Sequence, residues 1–508
     1  MIATNHSYRI IFLLTSLALA LPIFFIGSDS WDGTIINHAF RRDDLSDLKS
    51  WFFESRWNLQ YFLYAAIHLT AKFTNIPHEV LLDSLTVFPL MGIAYEAKIL
   101  AKNYFKISES GAWLAAYLTL LYPGWNAQTS AVMVIYPLCA WLSLLGSRTL
   151  IEGEHPILGI LICTAGLQLN STFAFVPALL FSYAISSYFV NNQSSSFKTF
   201  ASITLVLAIT FFVLKTNFPP YGPYENYNRI ELTKSLDALS HFSTYILFYG
   251  AIPLTLTLYL YRNFSRRGMV NLIMITAIIF GAIIPYIAVG KYPYSPIKSL
   301  LEFDFDVLTS LNSWSIRHGI LLSVPIAILS ALSLDAISNN RKPIKLVFSI
   351  FSCCTFLILL FLGFFLKAEN MFYKTEIKKA LRDLGYIDPA IVYIRMDAKL
   401  PAFQKINSYG PNELNTTFEK AYGFCGWHSY IGSNELIIDE IPKMFYFEEK
   451  FSNSFGTRYC FDKVDTSLII TLKIHQVKKA SFTDILGMNS NNIFSFEKYD
   501  ATFFKSRL

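Results

Sequence analysis

The chain opens with Ile10-Ile-Phe-Leu-Leu-Thr15-Ser-Leu-Ala-Leu-Ala20-Leu-Pro-Ile-Phe-Phe25-Ile26, then turns abruptly into Gly27-Ser-Asp29-Ser-Trp-Asp32-Gly-Thr34. The apolar run has the length of a bilayer span. Arg9 precedes it and no small-residue cleavage pattern follows, so it reads as a retained span. Beyond it stand Arg41-Arg42-Asp43-Asp44 and Glu54-Ser55-Arg56-Trp57. Carboxylates and arginines at the mouth of a span cost free energy, which marks this loop as the place to expect chemistry.

Composition extends that reading to the whole chain. Of 508 residues, 53% are hydrophobic and only 15% charged, against about a quarter charged in a soluble protein. The class is a polytopic α-helical membrane protein. The formal charge of +6 is small, and the basic residues sit in short loops, so it describes topology and excludes nucleic acid as a partner.

After the first span, apolar stretches follow at 79–98, 109–124, 130–147, 157–170, 173–190, 199–215, 242–261, 269–289, 318–336 and 346–366, about eleven spans in all. The run 157–190 is counted as two short helices meeting near Asn170-Ser171-Thr172. Lys98, Lys102 and Lys106, then Arg148, Lys198, Arg262 with Arg266 and Arg267, and Arg341 with Lys342 and Lys345 all fall on the side of Arg9. By the positive-inside rule that side is cytoplasmic, and the acidic loop and everything beyond residue 367 are external. A bacterial inner membrane with a periplasmic tail is the expected setting. Residues 57–75 carry Leu59, Phe62, Leu63, Ala66 and Ile67 on one helical face and mostly polar residues on the other, so they read as a juxtamembrane helix lying in the interface.

The expected organisation is a membrane domain over 1–366, containing the first external loop and juxtamembrane helix at 28–78, and a soluble α+β domain over 367–508. That tail, roughly 140 residues, is large enough for its own core. Cys425 and Cys460 are its only cysteines, and a disulfide between them would suit an oxidising compartment. Cys139, Cys163, Cys353 and Cys354 lie inside spans and read as packing.

The layout of first span, external loop opening on Asp, juxtamembrane helix and second span ending in basic residues resembles the GT-C superfamily of integral-membrane glycosyltransferases. Trp31-Asp32-Gly33 stands where those enzymes carry Asp-Glu, and Trp314-Ser-Ile-Arg317-His318-Gly-Ile-Leu-Leu-Ser-Val-Pro325 is similar to the Arg-Tyr-Leu-Leu-Pro run entering one of their late spans. Protein O-mannosyltransferases, lipid A aminoarabinose transferases and O-antigen-modifying transferases are the relatives it most resembles. The resemblance implies transfer of a hexosyl or pentosyl group from a polyprenyl-phosphate donor to an external glycan or lipid-linked acceptor, a cell-envelope function. It implies Asp32, with Asp29 beside it, as the catalytic carboxylate, and Arg56 and Arg317 as ligands of the donor phosphate.

Those residue types suit the chemistry. A carboxylate near a low-dielectric interface is a stronger base than in water, and arginine grips phosphate by a bidentate fork while staying charged. Asp43, Asp44, Glu54 and His318 are further candidates for acceptor or loop contacts. Arg41, Arg42, Asp43 and Asp44 also fit a solvated face pairing within itself. No residue pattern assigns a cofactor. A divalent cation between Asp29 and Asp32 is the one metal the loop could hold, though two carboxylates without a dense ligand cluster support it weakly. A lipid-linked oligosaccharide flippase or a glycan polymerase are the competing readings. The first expects ionisable residues in several spans and an internal repeat, the second larger middle loops.

Overall fold

The computed structural model describes residues 2–27, 33–191, 195–217, 219–221, 230, 232–260, 266–293, 314–337, 342–387, 390–400, 402, 411–423, 428–432, 465–487 and 493–503. Asp29, Asp32, Cys425 and Cys460 lie outside them.

The chain is a helical membrane protein. Seven described helices are long and apolar enough to cross a membrane: His6–Ile26, His78–Tyr104, Ala131–Glu152, Thr172–Phe189, Arg266–Ala288, Ser315–Ala336 and Lys342–Leu384. The apolar helices at Pro156–Gly166 and Phe200–Val213 are shorter. In chain order the helices are α1 (Ile2–Ile26), α2 (Gly33–Arg42), α3 (Ser46–Glu54), α4 (Asn58–Thr74), α5 (His78–Ile99), α6 (Glu109–Leu120), α7 (Ile135–Glu152), α8 (Pro156–Gly166), α9 (Thr172–Asn191), α10 (Ser195–Asn217), α11 (Leu232–Leu260) and α12 (Arg266–Ala288). A 3-10 helix at Trp314–Leu322 then leads into α13 (Ser323–Ala336) and α14 (Lys342–Leu384).

Local chemistry sets several boundaries. The Ser108 hydroxyl accepts from the Gly111 amide and caps α6, Gly153 ends α7 in the left-handed region, and Pro156 opens α8. The apolar run 157–190 divides where the Thr172 hydroxyl donates to the carbonyls of Gly166 and Leu169, which have left the helical ladder. α9 and α12 approach closely at Gly281, where a Cβ would collide with Ala178 and the Ala174 carbonyl.

The basic loops meet at one end of the bundle. Lys98 pairs with Glu109 (3.5 Å) beside Lys102, and Arg148 forks onto Glu96 at 2.8 and 3.0 Å. Arg267 donates to the Lys106 carbonyl (2.7 Å), the Ser108 amide to Asp335 (3.2 Å), and the Tyr117 hydroxyl to the Tyr8 carbonyl (2.9 Å). The N-terminal helix and the basic clusters therefore share an end.

At the opposite end, α2, α3 and α4 form the loop after the first span. α4 turns its polar side inward: Gln60, Tyr64 and His68 are buried, whereas Phe62, Leu69 and Phe73 are exposed. An outward apolar face is the geometry of a helix bedded in lipid. α14 continues past its apolar part into the tail, whose core gathers Phe372, Ile377, Leu381, Val392, Ile394, Phe418 and Leu472. That core includes a helix α15 (Pro411–Tyr422) and strands β1 (Ala390–Arg395), β2 (His428–Gly432), β3 (Asp465–Gln476) and β4 (Phe494–Phe503). The sheet order is β2-β1-β3-β4, with β1 parallel to β2 and β3, and β3 antiparallel to β4. The parallel β1–β2 pair requires a crossover, and α15 supplies it.

Candidate functional site

The loop after the first span is built on two similar turns. α2 ends with the Asp44 amide bonded to the Ala39 carbonyl and the Asp43 amide to that of Phe40, leaving Asp43 left-handed at φ 57°. α3 ends likewise: the Trp57 amide reaches the Phe52 carbonyl, that of Arg56 reaches Phe53, and Arg56 sits at φ 62°. Both are Schellman closures, which ordinarily place glycine at the left-handed position. A side chain there costs about 1 kcal/mol or more. Arg56 and Asp43 are thus kept against a backbone preference for glycine.

The Asp43 carboxylate lies 2.7 Å from His68 Nε2 and also pairs with Lys72, and these two neighbours hold its pKa below the ordinary value. His68 Nδ1 in turn meets His78 at 3.0 Å. Asp44 accepts from the Ser46 amide (2.9 Å) in a turn that leads into α3. Arg41 lies 3.8 Å from Glu419 on α15, which also meets His38 Nδ1. The expected self-paired face of Arg41, Arg42, Asp43 and Asp44 is therefore corrected. Asp43 turns to α4 and Arg41 to the tail, because the curl of the turn separates the neighbouring side chains.

Glu54 and Arg56 meet the segment 219–221. The Arg56 Nε donates to the Pro219 carbonyl (2.9 Å) with its guanidinium 5.0 Å from the centroid of the Tyr221 ring, and the Tyr221 amide donates to the Glu54 carbonyl (3.2 Å). Glu54 Oε2 is buried without a hydrogen-bond partner among the described residues, and burial raises its carboxyl pKa. A carboxylate held this way is a proton acceptor in search of a donor.

Between α6 and α7 the helical path breaks. Two short 3-10 turns, Pro123–Gln128 and Ala131–Met133, carry the chain, and every residue from 118 to 135 is buried. Non-helical backbone at membrane depth is tolerated only where protein encloses it or it lines a polar cavity. α4 supplies part of the enclosure: the Tyr64 hydroxyl donates to the Ala131 carbonyl (2.7 Å) and the Gln60 amide to that of Val132 (3.2 Å). Tyr122 donates to the Gly319 carbonyl and meets the Tyr245 hydroxyl, both at 2.9 Å. On α14, Gly363 leaves room that the Asn126 side chain fills.

The turn Pro123–Gln128 packs against the 3-10 helix Trp314–Leu322, which carries Arg317 and His318. Both residues are buried. His318 Nδ1 lies 3.2 Å from the Tyr292 carbonyl, its ring 5.0 Å from that of Tyr286, and Tyr292 stacks on His241 at 3.9 Å. A third Schellman closure places Lys291 here: its amide bonds to the Tyr286 carbonyl (2.9 Å) and Gly290 takes the left-handed position at φ 65°. Burial, with the Arg317 guanidinium nearby, pushes the Lys291 ammonium down to about 7. Cations near one another in a low-dielectric region raise each other's energy, and anionic groups beside them lower it.

The structure thus gathers Arg317, His318 and Lys291 at one place, and Glu54 with Arg56 at another, on the end of the bundle away from the basic loops. Asp43 and Asp44 are engaged in holding helices. Among the described residues, no group of three or more His, Cys, Asp or Glu side chains is arranged to hold a metal ion. Sequence reading gave no site role to Lys291, noted only as a cation of the 290–317 loop, or to Gln60, placed only on the polar face of the juxtamembrane helix. It also missed Asp83, 3% exposed inside α5. An ionisable residue within an apolar run was the available signal for Asp83. No family model matches the chain, and no characterised protein aligns with it.

Proposed function

We propose that the chain is a membrane glycosyltransferase of the GT-C type, with about eleven spans, that takes its sugar from a polyprenyl phosphate at the external face of a bacterial inner membrane. The observation that carries the reading is the partly sequestered pair of Lys291 and Arg317, bordered by His318. Arg317 is also the residue that the sequence resemblance assigns to the donor phosphate. The gathering of basic loops beside the N-terminal helix supports a cytoplasmic N terminus, which leaves the pair and the tail outside.

On this reading Arg317 and Lys291 hold the phosphodiester and stabilise the charge that grows on it as the sugar leaves. A loop carboxylate, Asp32 or the half-buried Glu54, takes the proton from an acceptor hydroxyl. The acceptor oxygen bonds to the anomeric carbon from the face opposite the phosphate, the bond from that carbon to the phosphate oxygen breaks, and polyprenyl phosphate departs. One displacement inverts the anomeric carbon.

The test is turnover by purified protein with a panel of polyprenyl-phosphate sugars. Release of polyprenyl phosphate that is lost in folded Arg317→Gln and Lys291→Gln variants supports the reading. No release with any donor, or release that survives both substitutions, overturns it.

A further inference from the structure

Gln128 is 1% exposed, and neither its amide nitrogen nor its amide oxygen has a hydrogen-bond partner among the described residues. It ends the Pro123–Gln128 turn, within the polar run Asn126-Ala-Gln128-Thr-Ser130, all of it buried in the membrane bundle. A buried amide left unpaired loses its hydration with nothing in return. Helix geometry does not impose this cost, because the chain here is not helical. The turn packs on the segment bearing Arg317 and His318, so the unmet amide lies on an element adjoining the proposed phosphate site.

From this we infer that Gln128 is the sugar-recognition residue of the site, its amide bridging two neighbouring hydroxyls of the donor's glycosyl group. The inference rests on the glycosyltransferase reading above. A carboxamide offers two donor hydrogens and an acceptor oxygen, the complement of adjacent hydroxyls that each donate and accept. The phosphate would be held by charge and the sugar by this amide. Discrimination between sugars follows, since a site built to hydrogen-bond a hydroxyl rejects analogues that lack it far more strongly than an apolar pocket rejects a size change. Trp125 and Tyr122, neighbours in the same turn, are buried aromatic surfaces of the kind that stack on sugar rings; their polar atoms are already bonded to the Thr119 and Gly319 carbonyls.

The experiment measures equilibrium binding of a short-chain polyprenyl phosphate, bare and esterified with glucose, mannose, galactose or aminoarabinose, to the full chain in detergent. Gln128→Met preserves length and removes hydrogen bonding, and Gln128→Asn withdraws the amide by one methylene should the first variant fold poorly. The expected result is that wild type prefers one glycosyl ester over bare phosphate. Either variant should lose about tenfold or more for that ester and leave bare phosphate unchanged. An unchanged ratio of ester to bare phosphate overturns the inference, and a more stable Gln128→Met with that unchanged ratio would show that the amide meets only water. If wild type binds neither ester nor bare phosphate, the glycosyltransferase reading fails and this inference with it.

Discussion

His38 Nδ1 lies 2.5 Å from Glu419 Oε2, joining two residues 381 positions apart in the chain. His38 is on α2, directly after the acidic stretch that follows the first span, and Glu419 is on α15 of the tail. With Arg41 on the same carboxylate, the contact ties α15 and the sheet-bearing tail to the loop after the first span. The tail is thus a support for the site as well as a domain of its own.

Substituting Glu419→Gln should loosen that docking. A charge-assisted, partly buried contact is worth about 1.5–3 kcal/mol. Hydrogen exchange is expected to rise over 33–42 and 411–422 and to stay unchanged in the spans. Equal exchange in both proteins would show that apolar contacts alone seat the tail.

Lys291 gives a pH dependence of known sign. Its folded pKa, about 7, lies below that of an unfolded lysine, so the unfolded chain binds the extra proton between pH 7 and roughly 10. Stability contributed at this site should therefore rise with pH across that window. Binding of a phosphodiester runs the other way: it needs the ammonium, so affinity is strongest below pH 7 and weakens as pH rises through it. Arg317, His318, Tyr286 and Tyr292 face this region. In Lys291→Arg the decline with pH should disappear, and a persistent decline would place the titrating group elsewhere.

Glu54 separates catalysis from stability. Its raised folded pKa means the carboxylate is disfavoured in the fold, so stability falls as pH rises from the unfolded value through the folded one. Glu54→Gln removes that cost, and its melting temperature at pH 8 should equal or exceed wild type. If Glu54 is the base, the same variant loses transfer by about a hundredfold or more, while full turnover in it would return the role to Asp32.

Arg56→Gly probes the left-handed turn. Relief at φ 62° offsets loss of the contacts to Pro219 and Tyr221, so stability should change by no more than about 1 kcal/mol. A marked fall in donor affinity with that stability intact would assign the guanidinium to phosphate; unaltered affinity would leave it as a tie to 219–221.

Much of this was legible beforehand where one physical rule governs. Apolar length located the membrane helices, and charge asymmetry grouped Lys98, Lys102, Lys106, Arg148 and Arg267 at one end before their contacts with Glu109, Glu96 and the Lys106 carbonyl were known. The break at 121–134 was not legible, because Leu120-Leu-Tyr and Ala131-Val-Met look like continuing spans and the intervening polar residues like an exposed loop. Only the arrival of Tyr64, Gly319 and Gly363 makes their burial tolerable. Lys291 did not stand out, and Glu54 stood out only as a loop contact, for a similar reason. Their altered acidity depends on Arg317 and on burial against distant parts of the chain, and local pattern carries no record of either.

The turns at 123–133 also constrain how the protein is made. Their carbonyls accept hydrogen bonds from α4, which precedes them, but Tyr122 depends on Gly319 and Asn126 on the space at Gly363, both synthesised much later. Until the last two membrane helices arrive, the Tyr122 hydroxyl and the Asn126 amide must wait at the centre of a half-built bundle, where lipid offers them no partner. Assembly is therefore completed from the C-terminal side, and a chain cut short before Trp314 would display those groups to whatever surveys unfinished membrane proteins.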